Sequence, residues 1–559
     1  MASKVDSELK SSIIITAALP YANADLHLGH IASTHLPPDI LYRYLKHGRR
    51  KVVQVCASDD FGTPILIAAE REGKSPSEYV AYWRKRFVQD LRGLGIAYDL
   101  FYKTSSKENV KIVQRFFRVL YKKKYIFPAD VDQFHCEYDN KFLPDRYVKG
   151  KCPHCGALDQ YSDGCENCGR TLQAGQILEP RCAICGREPA RRRSKHYFFK
   201  LSAFSHQLAE WLESNRNLQP EPRNYVLNWI KEGLQDWDIT RDISWGVKIP
   251  LREARGKVLY GWFDNHLCYI STALKLSKKE GSTGQKYWNN STIYHFIGKD
   301  IVYHHYLFLP SMRLGEGSYK LPDYIPTRGH LLLQGKKISK SRRWGLKVKD
   351  FLEVLPADYL RFYLTRIVPL GQADSNFDLE ELKAKINNEL VANIGNFVYR
   401  SLTFIKRAHG SQVPPPVGEG EEERSLRSAL ATTVKESSQL IEEGHYDRAL
   451  KSVLDFSTRC NQYFQRKAPW EKRSDESTTM YYSINTVASL AILMEPFLPF
   501  AANELWEQLS MKGSPSHRSW EDAGEFLLKP GHRIAEPKVL IRKVEDADIQ
   551  RLQNAMASG

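Results

Sequence analysis

Residues 13–30 read IIITAALPYANADLHLGH, and this stretch decides the fold. Its opening run is apolar and rich in β-branched residues, which favours a buried strand, and Pro20 cannot continue that strand. An apolar segment with helical spacing follows His27-Leu28-Gly29-His30, so the two histidines are predicted to lie at the start of a helix. A helix start offers free N–H groups and partial positive charge, and Gly29 allows a close approach to the backbone. The stretch therefore predicts a phosphate or nucleotide site at the end of a strand.

A second motif, Lys337-Ile338-Ser339-Lys340-Ser341, lies in a basic, glycine-containing loop after the apolar run 331–333. Alone, the first motif is compatible with an ordinary histidine-bearing helix start and the second with a solvated lysine loop. In this order, the two motifs resemble the paired signatures of class I aminoacyl-tRNA synthetases. The pair therefore favours an enzyme over the two ordinary interpretations.

The size and charge of the chain favour a multidomain protein with a polyanionic partner. A chain of 559 residues is too long to fold around a single hydrophobic core, so we expect several domains. Lys and Arg number 81 against 65 Asp and Glu, and this net charge of +16 suits nucleic acid as a partner. The chain has no run of 18 apolar residues, and its N-terminus is polar. We therefore expect a cytoplasmic protein without a membrane partner. In a reducing compartment, its ten cysteines indicate metal binding rather than disulfides.

Strand and helix patterns divide the chain into five predicted parts. Residues 1–125 and 241–345 show the alternation typical of a parallel sheet, which binds ligands at the carboxyl ends of its strands. Asp59 follows the predicted strand 51–56 at such an end, which makes it a candidate for binding an ammonium group. The remaining parts are a Cys- and Gly-rich insertion, a connecting segment, and a helical bundle with a short strand-like tail near 538–543: residues 126–240, 346–385 and 386–559.

Cysteine pairs in the insertion predict zinc. Two Cys-x-x-Cys pairs are nine residues apart, a spacing that matches a tetrahedral zinc site: Cys152, Cys155, Cys165 and Cys168. A third pair, Cys182 and Cys185, has no second pair downstream, and Cys136 with Asp139 would complete a Cys3Asp site. His135 is a rival fourth ligand, and a third pair without metal is the alternative to a second zinc site.

From Ile13 to about Leu540 the sequence resembles the methionyl-tRNA synthetases of the archaeal type, which carry a long zinc-bearing insertion. The resemblance is carried by ALPYAN at 18–23, HLGH at 27–30, FLPDR at 142–146 with the cysteine pairs, YHFIGKD at 294–300, KISKS at 337–341 and APW at 468–470. It implies an α/β catalytic domain with a Rossmann-like parallel sheet, a zinc-binding insertion and an α-helical anticodon-binding bundle. It also implies that ATP with Mg²⁺ activates methionine to methionyl-adenylate, which then acylates the 3′ end of methionine tRNA.

The same resemblance implies roles for individual residues. Four are expected to be catalytic: His27, His30, Lys337 and Lys340. These four are also expected to bind ATP, together with Gly29, Lys299 and Asp300. The expected methionine-binding residues are Leu19, Tyr21, Asp59, Trp262, Tyr269, Ile301 and His305. For the CAU anticodon, the matching positions are Asn396, Arg400 and Trp470, and base stacking on Trp470 is the expected contact.

The sequence departs from the family pattern beside the predicted methionine pocket. Where the family usually has Asp-Ala-Pro-Ile-Gly-Tyr, residues 264–269 read DNHLCY, which puts the fine specificity in question. Because residues 264–268 have the pattern of a turn between a strand and a helix, we expect Asn265 and His266 to face the sheet or solvent. Phe61 stands where a histidine is common, and Ile338 replaces a methionine of similar volume.

Three alternatives to a methionine–tRNA ligase stay open at this point. They are a synthetase paralogue that charges another amino acid, a nucleotidyltransferase with the same helix start, and a tRNA-binding scaffold without catalysis. The helical bundle disfavours the second, and the four catalytic candidates disfavour the third. The chain ends without the C-terminal tRNA-binding barrel through which some relatives dimerise, so the resemblance implies a monomer, with any such barrel supplied by a separate protein.

Overall fold

A five-stranded parallel sheet lies at the centre of the α/β part of the computed structural model, which describes residues 12–162, 165, 167–168, 172, 175–279, 284–338, 344–471 and 473–557. Its strands lie in the spatial order Thr327–Arg328, Thr292–Gly298, Ile13–Ala17, Val52–Ser58 and Leu100–Lys103. The middle strand is the one that opens residues 13–30, and it is buried along its whole length. The predicted parallel sheet is confirmed.

Both faces of this sheet are covered. Ile13 and Ile15 pack into one hydrophobic cluster and Ile14 into another, as expected for a strand buried on both sides. One helix is capped by Ser75, which accepts a hydrogen bond from the Glu78 N–H. The helices that belong to this domain are Leu36–His47, Thr63–Arg71, Pro76–Gly93, Lys107–Lys122, Gly261–Lys279, Gly284–Asn289 and Leu309–Glu316.

The insertion interrupts the sheet between its two halves. Its main sheet is antiparallel, with strands in the order Trp237–Asp238, Ala190–Phe199, Ile126–Cys136 and Lys141–Phe142. A smaller antiparallel sheet lies among the cysteine pairs and consists of Gln160–Tyr161, Val148–Lys151 and Leu178–Cys182. Two helices and a short hairpin then lead back to the α/β part: Ser205–Ser214, Pro220–Glu232, and Thr240–Arg241 paired with Val258–Leu259.

The apolar run before the lysine motif does not extend the main sheet. Leu331–Leu333 pairs antiparallel with Lys336–Lys337 and parallel with Ser375–Phe377, which forms a separate three-stranded sheet. The helices Val348–Leu352 and Ala357–Ile367 lie between these strands along the chain. This small sheet therefore connects the lysine motif directly to the segment that leads into the bundle.

From Leu379 onward the described chain is mainly helical, with irregular segments at 410–420 and 509–545. Gly410, with φ +57°, ends one helix in the left-handed conformation before the Pro- and Gly-rich linker. The helices are Leu379–Lys385, Ile386–Gly395, Asn396–His409, Glu421–Glu442, Tyr446–Lys467, Glu476–Met494, Pro499–Gln508 and Asp546–Ala557. Within the described ranges, no helix has the length and apolar character needed to span a membrane.

The predicted strand-like tail near 538–543 is wrong. These residues form no strand. Instead of pairing with a neighbouring strand, the Lys538 N–H donates to Gln508 Oε1 at 2.9 Å, and the Arg542 carbonyl accepts from the Tyr359 hydroxyl at 2.6 Å. Just after them, the Val544 N–H donates to Asn387 Oδ1 at 2.9 Å, and the Val544 carbonyl accepts from Asn387 Nδ2 at 3.0 Å. The side chains of Ile541 and Val544 are buried, so the tail is held by packing and by long-range hydrogen bonds.

Buried ion pairs join the α/β part to the bundle. Arg361 lies 2.8 Å from Asp39, and it also donates to three backbone carbonyls at 2.8–3.1 Å. Arg43 and His47, on the same helix as Asp39, contact opposite oxygens of Glu495 at 2.6 and 3.1 Å. Asp39, Arg361 and Glu495 are at most 1% exposed, so these contacts are shielded from solvent. The helix that follows the histidine motif is thereby fixed against the bundle.

Candidate active site

One cavity of 390 Å³ lies where the loops after the parallel strands converge. Twelve of the residues predicted from the sequence line it: Leu19, Tyr21, His27, Gly29, His30, Asp59, Trp262, Tyr269, Asp300, Ile301, His305 and Lys337. Lys299 instead pairs with Asp374 at 2.7 Å, and Lys340 lies outside the described residues. Residues from both predicted parts of the parallel-sheet domain, 1–125 and 241–345, thus line one cavity.

Backbone hydrogen bonds hold the loops after the first two strands together. The Asp59 N–H donates to the Pro20 carbonyl, and the Asp59 carbonyl accepts from the Ala22 N–H, both at 2.9 Å. Gly62 continues the second loop with φ +121°, and a Cβ there would collide with the Tyr21 hydroxyl. Tyr21 and Asp59 are therefore positioned by main-chain geometry that tolerates little change.

The two histidines form a hydrogen-bonded unit at the helix start. Nδ1 of His27 accepts from the Gly29 N–H, and Nδ1 of His30 accepts from the His27 N–H, both at 3.2 Å. Their rings stack with centroids 3.8 Å apart. A Cβ at position 29 would lie 3.0 Å from the His27 ring, which is tighter than ordinary packing, so a larger residue would push this ring away. The predicted helix start is confirmed, and it points two ordered imidazoles at the cavity they line.

The lysine motif meets the histidine motif. The segment just after it is bonded to the histidine loop, with the Leu28 N–H donating to the Leu346 carbonyl at 3.2 Å and the Val348 N–H donating to the Leu26 carbonyl at 3.1 Å. The Ile338 side chain lies 3.6 Å from the place of a Cβ on Gly29. Residues that are some 300 positions apart in the sequence therefore form one wall of the cavity.

The inner part of the cavity is lined by aromatic rings and a neutral histidine. Burial lowers the pKa of His305 to about 4, so its imidazole is uncharged at neutral pH. Its Nδ1 lies 3.1 Å from the Ile301 carbonyl, which accepts only, so Nδ1 carries the proton and Nε2 accepts from the Tyr269 hydroxyl at 2.9 Å. Trp262 stacks on His304 with ring centroids 3.7 Å apart. This wall suits an apolar, polarizable guest.

A buried carboxylate lies beside these rings. Asp59 is 8% exposed, and burial raises its pKa to about 7. Asp264 is fully buried nearby, and burial raises its pKa well above the ordinary value. A cation bound at Asp59 would favour the ionised form and offset part of the cost of burying the charge.

The expectation that Asn265 and His266 face the sheet or solvent is wrong. Residues 264–268 are not a turn but belong to the helix Gly261–Lys279. Asn265 is 7% exposed, lines the cavity, and donates from Nδ2 to Oδ2 of Asp59 at 3.3 Å. His266 is 1% exposed, and burial keeps its pKa well below the ordinary value. The helical spacing of 262, 265 and 269 puts all three on one face, which explains why the middle position reaches the site.

Further residues line the cavity that were not predicted as site residues: Ala18, Pro20, Ser33, Thr34, His35, Gly298, His330, Leu331 and Ile338. Ser33, Thr34 and His35 follow the histidine motif by about one helical turn. The predicted helix could therefore have placed them on the same side as the histidines. His330 lies 3.6 Å from Asp300, and no local pattern marks it, because it reaches the site through the separate small sheet.

Two groups of metal-ligand residues converge in the insertion. The ligand atoms of Cys152, Cys155, Cys165 and Cys168 all lie within 4.8 Å of one another, and so do those of Cys136, Asp139, Cys182 and Cys185. Oδ2 of Asp139 lies 3.1 Å from the Cys136 sulfur and 3.2 Å from the Cys182 sulfur. His135 is not in the second group, so the structure favours Asp139 over that rival. Both groups could bind zinc, since four thiolates or three thiolates and a carboxylate suit a tetrahedral ion.

The three predicted anticodon residues lie on one surface of the bundle. Asn396 and Arg400 line an open pocket of 600 Å³. The Arg400 guanidinium lies 5.5 Å from the centre of the Trp470 ring. Trp470 is 44% exposed, so it is not a core tryptophan. An exposed ring beside an arginine is an arrangement that stacks on unpaired bases.

A sheet of this topology, with the histidine and lysine motifs on one cavity, defines a class I aminoacyl-tRNA synthetase fold. The family model "tRNA synthetases class I (M)" matches residues 13–402, and "Anticodon binding domain of methionyl tRNA ligase" matches residues 413–559. The chain therefore belongs to the methionyl family of class I tRNA synthetases.

Individual relatives agree with this family. The methionine–tRNA ligase of Methanopyrus kandleri is 40% identical over 548 residues, which cover 96% of this chain and 81% of that protein. The enzyme of the same name from Pyrococcus furiosus is 39% identical over 557 residues, with 96% and 76% covered. The methionyl-tRNA synthetase of Mycobacterium tuberculosis, solved with methionyl-adenylate, has the same fold, with a TM-score of 0.79 at 23% identity over 95% of this chain and 100% of that one.

Proposed function

We propose that this chain is a methionine–tRNA ligase, which activates methionine with ATP and transfers it to the 3′ end of methionine tRNA. The observation that carries the proposal is the single cavity in which the histidine and lysine motifs adjoin an aromatic pocket with a buried carboxylate. We also propose the division of the chain at residues 125, 240, 345 and 385 that the sequence predicts.

Activation requires no covalent intermediate with the enzyme. The methionine carboxylate attacks the α-phosphate of Mg-ATP, and pyrophosphate leaves. His27, Gly29 and His30 would hold the adenosine and the phosphates, and the ordered stacking of the two rings supports this role. Lys299, Asp300, Lys337 and Lys340 complete the proposed ATP site. Lysine suits charge neutralisation on a leaving pyrophosphate, because it is a compact point charge on a flexible stem.

Methionine would bind in the inner part of the cavity. Asp59 would take the α-ammonium group, and its burial makes a bound cation a strong partner. The thioether would lie against the rings of Tyr21, Trp262 and Tyr269, since sulfur packs favourably at ring edges. Leu19, Ile301 and His305 complete this proposed pocket, and the neutral state of His305 suits an uncharged side chain.

The tRNA and the metal have separate proposed sites. Asn396, Arg400 and Trp470 would read the CAU anticodon, and the exposure of Trp470 beside Arg400 supports base stacking there. We propose one Zn²⁺ at each of the two ligand groups, where it would hold together the loops that carry the Cys-x-x-Cys pairs, called zinc knuckles below. Each zinc would be structural, because four protein ligands leave no open position.

Exchange of labelled pyrophosphate into ATP, run with each of the twenty amino acids, tests the proposal. We expect methionine to drive exchange best, followed by charging of methionine tRNA. Best exchange with another amino acid would identify a paralogue of altered specificity. Exchange without any amino acid would indicate a nucleotidyltransferase, and no exchange at all a tRNA-binding scaffold.

A further inference from the structure

Two buried oxygen atoms of the cavity lack partners. Among the described residues, none donates a hydrogen bond to Oδ1 of Asp59 or to Oδ1 of Asn265. The two residues are 8% and 7% exposed, so solvent hardly reaches them. A buried acceptor without a donor costs free energy, and such atoms in a binding cavity indicate a ligand that supplies the missing donors.

The two oxygens belong to one hydrogen-bonded unit. Nδ2 of Asn265 donates to Oδ2 of Asp59 at 3.3 Å, so the amide nitrogen is turned to the carboxylate. Both residues line the same cavity, one from the loop after the second strand and the other from the helix Gly261–Lys279. The hydrogen bond therefore fixes which oxygen of each residue remains for a ligand.

We propose that Asn265 is a binding and positioning residue of the amino-acid site: its amide N–H holds the Asp59 carboxylate, and its carbonyl oxygen is a second acceptor for the substrate's α-ammonium group. This inference rests on the proposed function, because it assumes an amino acid as the ligand. An ammonium group carries three N–H donors, and in a site shielded from water each of them needs an acceptor. Asp59 and Asn265 together supply two.

The electrostatics around Asp59 give Asn265 a second effect. Burial raises the pKa of Asp59, and the hydrogen bonds from Asn265 and, to a smaller extent, from the Phe61 backbone act in the opposite direction. The other titratable groups that face Asp59 give no compensating positive charge: they are Asp60, Asp264, Tyr21 and Tyr269. Burial raises the pKa of both tyrosines well above the ordinary value, so they stay neutral. Asn265 therefore helps to keep Asp59 ionised for the ligand.

Matched ligands separate this role from pocket shape. Dissociation constants are measured for methionine and for 4-(methylthio)butanoate, which has the same side chain and carboxylate but no α-ammonium group. The variants are Asn265→Ala and Asn265→Leu, the latter nearly isosteric, so that one remains if the other fails to fold. Cys268→Ala is the control, because Cys268 is fully buried on the same helix and bonded within it to Thr272.

We expect both Asn265 variants to weaken methionine binding about tenfold or more, the scale for a lost hydrogen bond to a charged group. Binding of the des-amino ligand should change less than about twofold, and the KM for ATP should stay as in the wild type, as should all values in the control. Equal weakening of both ligands, or of neither, would overturn the inference. A wild type that prefers another amino acid would contradict the proposed function. Because every amino acid has an α-ammonium group, the Asn265 variants would then be tested in the same way with that amino acid and its des-amino form.

Discussion

Asp59 must be ionised to bind an ammonium group, and its burial opposes that ionisation. Burial raises the pKa of the free carboxyl to about 7, and a bound ammonium would lower it again. Binding therefore releases the Asp59 proton below pH 7. We expect the Kd for methionine to be nearly constant above pH 7 and to rise, approaching about tenfold per pH unit, as the pH falls below 7. Calorimetric titrations between pH 6 and 8 measure this, and a flat profile would contradict the assigned role.

Trp470 is the residue to test for anticodon reading. Replacing it by alanine should weaken tRNA charging by roughly 1–3 kcal/mol through lost base stacking, while methionine-dependent pyrophosphate exchange stays unchanged. Phe500→Ala is the control, because Phe500 is a similarly exposed aromatic residue of the bundle, 48% against 44%, that lies against Gly95 of the catalytic core. Equal losses of charging and exchange in Trp470→Ala would make Trp470 a structural residue instead.

The sequence predicted single residues well where a loop directly follows a strand. Asp59 was found because an acidic turn marks the carboxyl end of a strand, whereas Leu19 and Tyr21 were expected from the family resemblance, and all three line the cavity. Asn265 was placed wrongly because a short polar sequence after a predicted strand looks like a turn, whereas tertiary packing continues the helix through it. His330 had no local signal at all, since it reaches the cavity through long-range strand pairing.

The metal content of the zinc knuckles can be measured directly. Elemental analysis should give two zinc ions per chain, and Asp139→Ala should lower that number to one, because a carboxylate ligand is lost from the second group only. His135→Ala is the control, since His135 lies next to Cys136 but outside the group of converging ligands. One zinc in the wild type would remove the second site, and none would remove both.

The lysine loop should act on pyrophosphate alone. Lys340→Ala is expected to slow methionyl-adenylate formation by about 3–4 kcal/mol of transition-state stabilisation, the scale for losing a preorganised charge contact. The Kd for methionine should change little, because the proposed role of the loop is to contact pyrophosphate only. Lys336→Ala is the control, since its ammonium lies over the Trp344 ring at 5.1 Å. Unchanged single-turnover activation in Lys340→Ala would remove its assigned role.

The elements were predictable in type but not in all their partners. The apolar run that begins at Ile13 was predicted as a strand and joins the main sheet, whereas the apolar run 331–333 forms a strand that does not join it. A run of three leucines carries no record of its partner, and Ser375–Phe377, which pairs with it, has no apolar periodicity of its own. The knuckles were the opposite case, because the ligand spacing itself defines the local geometry.

At the scale of the whole molecule, the buried contacts of Glu495 hold the catalytic core to the bundle. Glu495→Ala removes one of the two carboxylates that contact Arg43 and the carboxylate that contacts the buried His47, so we expect a loss of about 3–5 kcal/mol in the free energy of unfolding, measured with urea. The control is Glu442→Ala, whose partner Arg50 is 48% exposed and whose loss should cost less than about 1 kcal/mol. Similar effects of the two variants would mean that the buried network does not hold the junction.

The same glutamate predicts a contribution to acid sensitivity. The hydrogen bond from His47 and the Arg43 guanidinium outweigh burial and lower the pKa of Glu495 to about 2, below its unfolded value. A carboxyl whose pKa is depressed by folding contributes stability that is present above the unfolded pKa of about 4.3 and is lost as the pH falls towards 2. The difference between wild type and Glu495→Gln in the free energy of unfolding, measured with urea, should therefore narrow as the pH is lowered from 7 to 3. A constant difference would contradict the assignment.

The order of the central strands also determines when the middle strand can pair during translation. Ile13 pairs with Thr292, so the middle strand waits for a neighbour that the ribosome adds 279 residues later. At about 5–20 residues per second this delay is roughly 15–55 s, during which an apolar, β-branched segment has an open edge. The newborn chain should therefore depend on chaperones until Gly298 has left the ribosome. Stalled nascent chains would show it: residues 13–17 should gain protease resistance only in chains that extend beyond that point.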